Sequence, residues 1–431
     1  MVSKSMESLM KNNSVIREMF DEGKRLEKIY GEENVFDFSI GNPNVTTPNE
    51  IKENIIRILN DENPLDIHGY MNNSGYFSVR ENIANHLTKT KGVPLEDKNI
   101  IMTCGAAGGL NIILKTLINP EDEVIILAPY FGEYINYINN YSGKTVIVSC
   151  EEDTFEPNLD ELKKKITDRT KAIIINSPNN PSGIIYSEET IKAISNILIE
   201  TSKKLGSTIY LISDEPYREI VYDGATVPYI LKYYKNSLIV YSYSKSLSLP
   251  GERIGYIVVN PELDYLSELL SALNIANRVL GFVNAPSLFQ KVVSMSLDLE
   301  VNVDIYKKNR DLLYNHLTNL GFECLKPQGA FYLFPKSPIK DDKKFCNELK
   351  KFNILAVPGS VFGCDGYFRL SYCISYEKIK KSLKAFEKVA ELFNDYLWYK
   401  IFCIVQKSYR WCNSVKVSEK GCSSSWFSWN R

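Results

Sequence analysis

Between residues 99 and 260 the 431-residue chain repeats one pattern: a short apolar, β-rich run followed by a longer stretch able to form a helix. The runs are NIIMT (99–103), EVIILA (123–128), TVIVSC (145–150), KAIIIN (171–176), TIYLIS (208–213) and SLIVYS (237–242). Most are apolar throughout instead of at alternate positions, as expected of strands covered on both faces of a sheet. Intervening segments such as 187–205 have helical length, so the pattern predicts a doubly wound α/β domain with a mostly parallel sheet. Ligands of such sheets bind outside the carboxyl ends of the strands. After about Asn284 the pattern changes to a helix over 301–320, AFYLFP (330–335), a helix near 341–352, ILAVPG (354–359), YFRLSY (367–372) and a last helix from Tyr376. These elements predict a second, smaller α+β domain.

Composition narrows the chemistry. The 51 basic and 52 acidic residues leave a net charge of −1, which argues against a nucleic-acid-coating surface. Three histidines (His68, His86, His316) are too few for a histidine-rich metal centre, and no two of the nine cysteines are closer than nine residues, so no CxxC pair exists. The charged N-terminus has no apolar signal core and the most apolar stretch, 396–405, is too short to span a bilayer. A cytoplasmic protein with no membrane or nucleic-acid partner and no metal is expected. From residue 396 onward the composition shifts: all four tryptophans and three cysteines lie there. That tail lacks helical periodicity and a basic face, and reads as an atypical appendage.

Several short motifs mislead. Gly143-Lys144-Thr145 looks like the end of a P-loop, but Ile138 stands where its first glycine should be. No GxSxG elbow accompanies the three histidines, which disfavours a serine hydrolase. Gly105-Ala-Ala-Gly-Gly109 lacks dinucleotide-fingerprint spacing, yet small residues at a helix start expose the N–H groups that a phosphate needs.

The informative cluster is Ser242-Tyr-Ser-Lys245 with Arg253 eight residues on. A lysine just past a buried strand is costly as a charge, and a desolvated amine is what Schiff-base chemistry requires. Arg253 offers a guanidinium fork suited to a phosphate. Asp214-Glu-Pro-Tyr217 and Asn180-Pro-Ser-Gly183 follow two further runs. Singly these are a helix cap and an ordinary turn. Together they set an anion, a phenol, an amide, a lysine and a phosphate cradle along one sheet edge.

With Gly41-Asn-Pro, Tyr70 and Gly75, Pro129-Tyr-Phe131, Pro327-Gln-Gly-Ala-Phe-Tyr, Pro358-Gly and Phe368-Arg369-Leu-Ser, residues 35–393 resemble a class I/II aminotransferase of the fold-type-I pyridoxal phosphate enzymes, close to the bacterial aspartate aminotransferase branch. The resemblance implies a seven-stranded sheet. It also implies a division into 1–50 (N-terminal part of the small domain), 51–284 (large cofactor-binding domain), 285–395 (small C-terminal domain) and 396–431 (tail). Lys245 would then bind the aldehyde of pyridoxal 5'-phosphate covalently, Asp214 would pair with the pyridine nitrogen, and Tyr217 and Asn180 would meet the phenolic oxygen. Phe131 would stack on the ring. Gly105, Ala106, Ala107, Ser242 and Arg253 would hold the phosphate, together with Tyr70 of a neighbouring subunit in a homodimer with shared sites. Arg369 would clamp the substrate carboxylate beside Gly41 and Asn180. Where the aspartate-preferring branch commonly has a lysine, this chain has Ala107, so the resemblance does not carry aspartate specificity. The expected reaction moves an amino group from an L-amino acid to a 2-oxo acid. A carbon-sulfur β-lyase on the same scaffold and an inactive relative are the alternatives.

Overall fold

A computed structural model describes residues 2–11 and 15–393. The atypical tail lies outside the described residues, apart from which the sequence elements have the following places.

A two-residue strand β1 (Phe36–Asp37) precedes the main sheet. That sheet is built from β2 (Ile100–Thr103), β3 (Glu123–Leu127), β4 (Lys144–Val148), β5 (Thr170–Asn176), β6 (Tyr210–Asp214), β7 (Ser237–Ser242) and β8 (Gly255–Val259). Its order is β2-β8-β7-β6-β5-β3-β4. The block from β4 to β7 is parallel, and β8 enters antiparallel to both β7 and β2. The run GYIVV that forms β8 was not among the six expected strands. It follows β7 after twelve residues that hold only the four-residue helix Tyr243–Ser246 and a short 3-10 turn, so the alternation of strand and long helix does not reveal it.

Although the strands are apolar throughout, the pleat sorts them between two cores. Val124, Ile126, Ala172, Ile174, Ile212, Leu238 and Val240 face one side, under the helices Gly105–Leu117 and Leu266–Val279. Ile125, Ile173, Leu211, Ile239 and Tyr241 face the other, under Phe77–Lys91 and Glu188–Leu205. The latter helix starts where Ser187 accepts from Thr190 N at 3.1 Å and stops at Gly206, whose φ is +65°. This parity puts Asp214, two residues after Ile212, on the Gly105–Leu117 side, and Glu215 on the other.

The later elements follow as β9 (Tyr332–Leu333), β10 (Ile354–Leu355), β11 (Val357–Pro358) and β12 (Phe368–Ser371). The run ILAVPG thus divides between two sheets, β10 pairing with β1 and β11 with β12. The helices Val303–Asn319 and Tyr376–Leu392 pack together over them. Phe36, Phe38 and Val45 join Val301, Leu313, Phe331 and Phe368 in one apolar core. The helix Ser287–Ser294, however, packs on Asn49–Asp61 and Phe77–Lys91, and Val292 and Val293 join the core of the main sheet. The expected boundary at 284/285 therefore cuts through packed apolar surface, and the second core takes over only from Val301. Between the two parts, Cys150 Sγ lies 3.8 Å from Cys364 Sγ.

Candidate active site

The carboxyl ends of β5, β6 and β7 open into a cavity of about 360 Å³. From the main sheet it receives Asn176, Asn180, Asp214, Tyr217, Ser242 and Lys245. Ala106 and Ala107 come from the helix Gly105–Leu117, and Phe131 and Tyr137 from the next crossover. Gly41, Tyr332 and Arg369 close it from the other part of the chain, and Arg253 lies beside the helix start.

Lys245 sits in the short helix Tyr243–Ser246, which Ser242 caps by accepting from Ser244 N at 3.2 Å. Its Nζ donates to Gly41 O at 2.6 Å and lies 5.4 Å from the centre of the Phe331 ring. Burial lowers its pKa to about 8, and the cations Arg253 and Arg369 push the same way. Asp214 is buried, and its Oδ2 accepts from Tyr134 OH at 2.6 Å. Its Oδ1 has no partner among the described residues. Burial raises this carboxyl to about 7, against the opposing hydrogen bond from Tyr134. A buried carboxylate with one oxygen open is costly unless a donor arrives there.

Arg369 projects from β12 and is buried. Its Nη1 donates to Asn180 Oδ1 at 3.0 Å and its Nη2 to Ser39 O at 2.5 Å, while Nε has no partner among the described residues. Arg253 adopts a left-handed conformation (φ 51°, ψ 50°) and donates from Nη1 to Pro250 O at 3.0 Å. Gly105 has φ +71°, a conformation that favours glycine, and a Cβ there would crowd Arg253 Nη2 at 3.1 Å. The helix beginning at Gly105 has no side-chain cap, so its first N–H groups remain open to an anion. Lys245, Arg253 and Arg369 thus converge, and among the described residues their hydrogen-bond partners are uncharged oxygens.

The chain that carries this set has relatives along most of its length. Residues 33–386 match the family model for aminotransferase class I and II. The chain belongs to this family. The probable aspartate aminotransferase of Methanocaldococcus jannaschii is 33% identical over 386 residues, covering 88% of this chain and 97% of that protein. Aromatic-amino-acid aminotransferase 2 of Thermococcus litoralis is 30% identical, covering 88% and 96%. Among solved structures, an amino transferase from Eubacterium rectale superposes with a TM-score of 0.89 at 46% identity, covering 91% of this chain and 99% of that one. The protein is an aminotransferase of α/β fold.

In this aminotransferase the expected residues gather in one place with one exception. Tyr70 lies 94% exposed in the loop after the helix Pro64–His68 and does not line the cavity. Four residues in or beside the site had no role expected from the sequence, Tyr134, Tyr137, Asn176 and Tyr332, although Tyr332 ends the motif Pro327-Gln-Gly-Ala-Phe-Tyr. Asn176 donates to Asp214 O at 2.8 Å and accepts from Asn180 N at 2.8 Å, tying two strand ends together. Phe131, Tyr134 and Tyr137 recur at every third position, and that aromatic spacing was the available signal. Tyr137 lines the cavity, and burial raises its phenol to about 12.

Proposed function

We propose that this aminotransferase binds pyridoxal 5'-phosphate in the cavity at the ends of β5, β6 and β7. The unpartnered Asp214 Oδ1 carries the reading, since it needs a buried donor and a protonated pyridine nitrogen supplies one. The uncapped start of the helix Gly105–Leu117, with the small side chains of Ala106 and Ala107 and the unpaired Arg253, fits the phosphate, as does Ser242. Phe131 offers a ring face, and Tyr217 and Asn180 offer donors for the phenolic oxygen. When bound, the group supplies an aldehyde that exchanges amino groups and a ring that withdraws electrons from the substrate's α-carbon.

The side chains then divide the work. Asp214 would hold a protonated ring nitrogen, and an N–H donor on its free oxygen would favour the ionised carboxylate. Lys245 Nζ would hold the aldehyde and, when free, is placed to take and return the substrate's α-proton. Its burial supports this role, because an amine titrating near 8 is partly neutral at physiological pH. Arg369 holds the α-carboxylate, its plane fixed by Asn180 and Ser39 and its Nε still open. Ile40, Ala107, Leu110 and Phe131 give the rest of the lining an apolar character. This supports an amino donor with an uncharged side chain, in keeping with the aromatic-amino-acid relative and despite the aspartate-named ones.

The active unit in this reading is a homodimer, in which the exposed Tyr70 reaches the phosphate in the partner's site. For domains we assign residues 49–300 to the larger unit and 15–48 with 301–393 to the smaller. The six free cysteines among the described residues support a reducing, cytoplasmic location.

Borohydride reduction of the reconstituted enzyme followed by peptide mapping tests the assignment, and the cofactor must be found on Lys245. Incubation with an amino acid alone must convert the cofactor stoichiometrically to its amine form, whereas sustained pyruvate release would indicate elimination. A panel of donors against 2-oxoglutarate, pyruvate and oxaloacetate ranks the substrates.

A further inference from the structure

Tyr332 belongs to the run AFYLFP and reaches the cavity from β9. Its hydroxyl lies 2.8 Å from that of Tyr217, and the two rings meet edge to face at 84° with centres 5.6 Å apart. Both residues are buried. A second contact is made by the ring, whose centre is 4.7 Å from the Arg369 guanidinium carbon, while Phe362 approaches the same group at 4.9 Å. The third contact is backbone: a Cβ on Gly41 would fall 2.1 Å from the Tyr332 oxygen, so glycine at 41 makes room for this hydroxyl. The same Gly41 accepts from Lys245 Nζ through its carbonyl. Tyr332 therefore touches the phenol, the carboxylate clamp and the glycine whose carbonyl accepts from the lysine.

Each phenol has one proton, so within the pair one hydroxyl donates and the other accepts. Were Tyr217 the donor, its oxygen would offer the cavity only lone pairs, and an anionic oxygen there would be repelled. Were Tyr332 the donor, the Tyr217 proton would be free to point into the cavity. Burial raises the Tyr332 phenol to about 12, so it keeps its proton at neutral pH.

We propose that Tyr332 is a positioning residue for transamination: its hydroxyl donates to Tyr217 and aims the Tyr217 proton at the cofactor's phenolic oxygen, while its ring seats Arg369. The inference rests on the Tyr217 role given above. A donor on the phenolic oxygen stabilises its anion and eases loss of the proton that this oxygen shares with the Lys245 link. Weakening that donor must therefore move the pH midpoint of the cofactor's visible absorbance upward.

The test is a spectroscopic pH titration of the reconstituted enzyme. Tyr217→Phe is expected to raise the midpoint, and Tyr332→Phe to raise it by about 0.5 to 1 unit, less than Tyr217→Phe. In the double variant the second substitution adds nothing, because Tyr332 acts through Tyr217. Tyr332→Phe keeps the ring and leaves KM for the amino acid within about twofold, whereas Tyr332→Leu raises it about tenfold. A midpoint moved by Tyr217→Phe but not by Tyr332→Phe overturns the proton-directing role alone. Additive shifts in the double variant also overturn it. An unmoved midpoint in Tyr217→Phe overturns the underlying Tyr217 reading, and an unchanged KM in Tyr332→Leu overturns the seating of Arg369.

Discussion

Asp214 and Glu215 are neighbours in sequence, yet they end in regions built on opposite rules. Asp214 enters the cavity with one oxygen bound by Tyr134 and the other open. Glu215 turns to the other face of the sheet, where a second cavity of about 250 Å³ is lined by Arg218, Glu219 and Tyr241. There the charges at the strand end are paired. Both Glu215 oxygens bond Arg218, the Arg218 fork also reaches Val227 O at 3.0 Å and Pro228 O at 2.9 Å, and Glu219 Oε2 lies 2.8 Å from Tyr241 OH. Buried charge thus serves two ends. Closed pairs hold the strand ends together, and open ones wait for a ligand.

The contrast is sharpened most by Lys245→Ala, which should lower turnover by about 10⁴-fold or more and abolish covalent cofactor retention, with little change in thermal stability. Asp214→Ala follows, with a loss of about 10²–10³-fold in the proton-transfer step measured by single-turnover absorbance. A Glu215→Ala variant should behave in the opposite way. It strands the Arg218 charge and is expected to cost about 3–5 kcal/mol in denaturant unfolding, while protein that remains folded keeps its kcat within about threefold. If Glu215→Ala proves as inactive as Asp214→Ala while still folded, the division between open and closed pairs fails.

A pH experiment tests the open side on the cofactor-free protein. The unfolded chain loses the Asp214 proton near 3.8 and the folded chain holds it to about 7. Between those values the folded state binds more protons, so this group's contribution to stability is full below pH 4 and is lost as pH rises toward 7, by about 1.4 kcal/mol per unit. Asp214→Asn should flatten that window in urea titrations. The smallest effect is expected from Tyr134→Phe, which removes the one hydrogen bond that opposes burial at Asp214, and stopped-flow turnover should fall by less than about tenfold.

The apolar runs revealed the sheet because a fully covered strand must be apolar on both faces, and the strand-end motifs located Lys245, Asp214 and Arg369 because charge beside buried strands is rarely idle. What stayed hidden was decided in three dimensions. β8 has an ordinary apolar sequence, and only its pairing shows that it runs against its neighbours. Tyr134, Tyr137 and Tyr332 look like core aromatics in a chain with 27 tyrosines, and nothing local says which hydroxyl meets a carboxylate. Asn176, the last residue of the run KAIIIN, likewise gives no hint that it binds a neighbouring strand. Tyr70 is the converse, a residue expected in the site that a single chain leaves on its surface.

The pairing of β1 with β10 has a further consequence, for the growing chain. Phe36 aligns with Ile354 and Asp37 with Leu355, and β2 has no neighbour in the sheet but β8. On a ribosome adding about 5–20 residues per second, β2 would wait about 8–30 s for its partner and β1 still longer. Phe36 and Phe38 would emerge long before Ile354 and Leu355, so their apolar side chains stay uncovered through most of the synthesis of the domains they join.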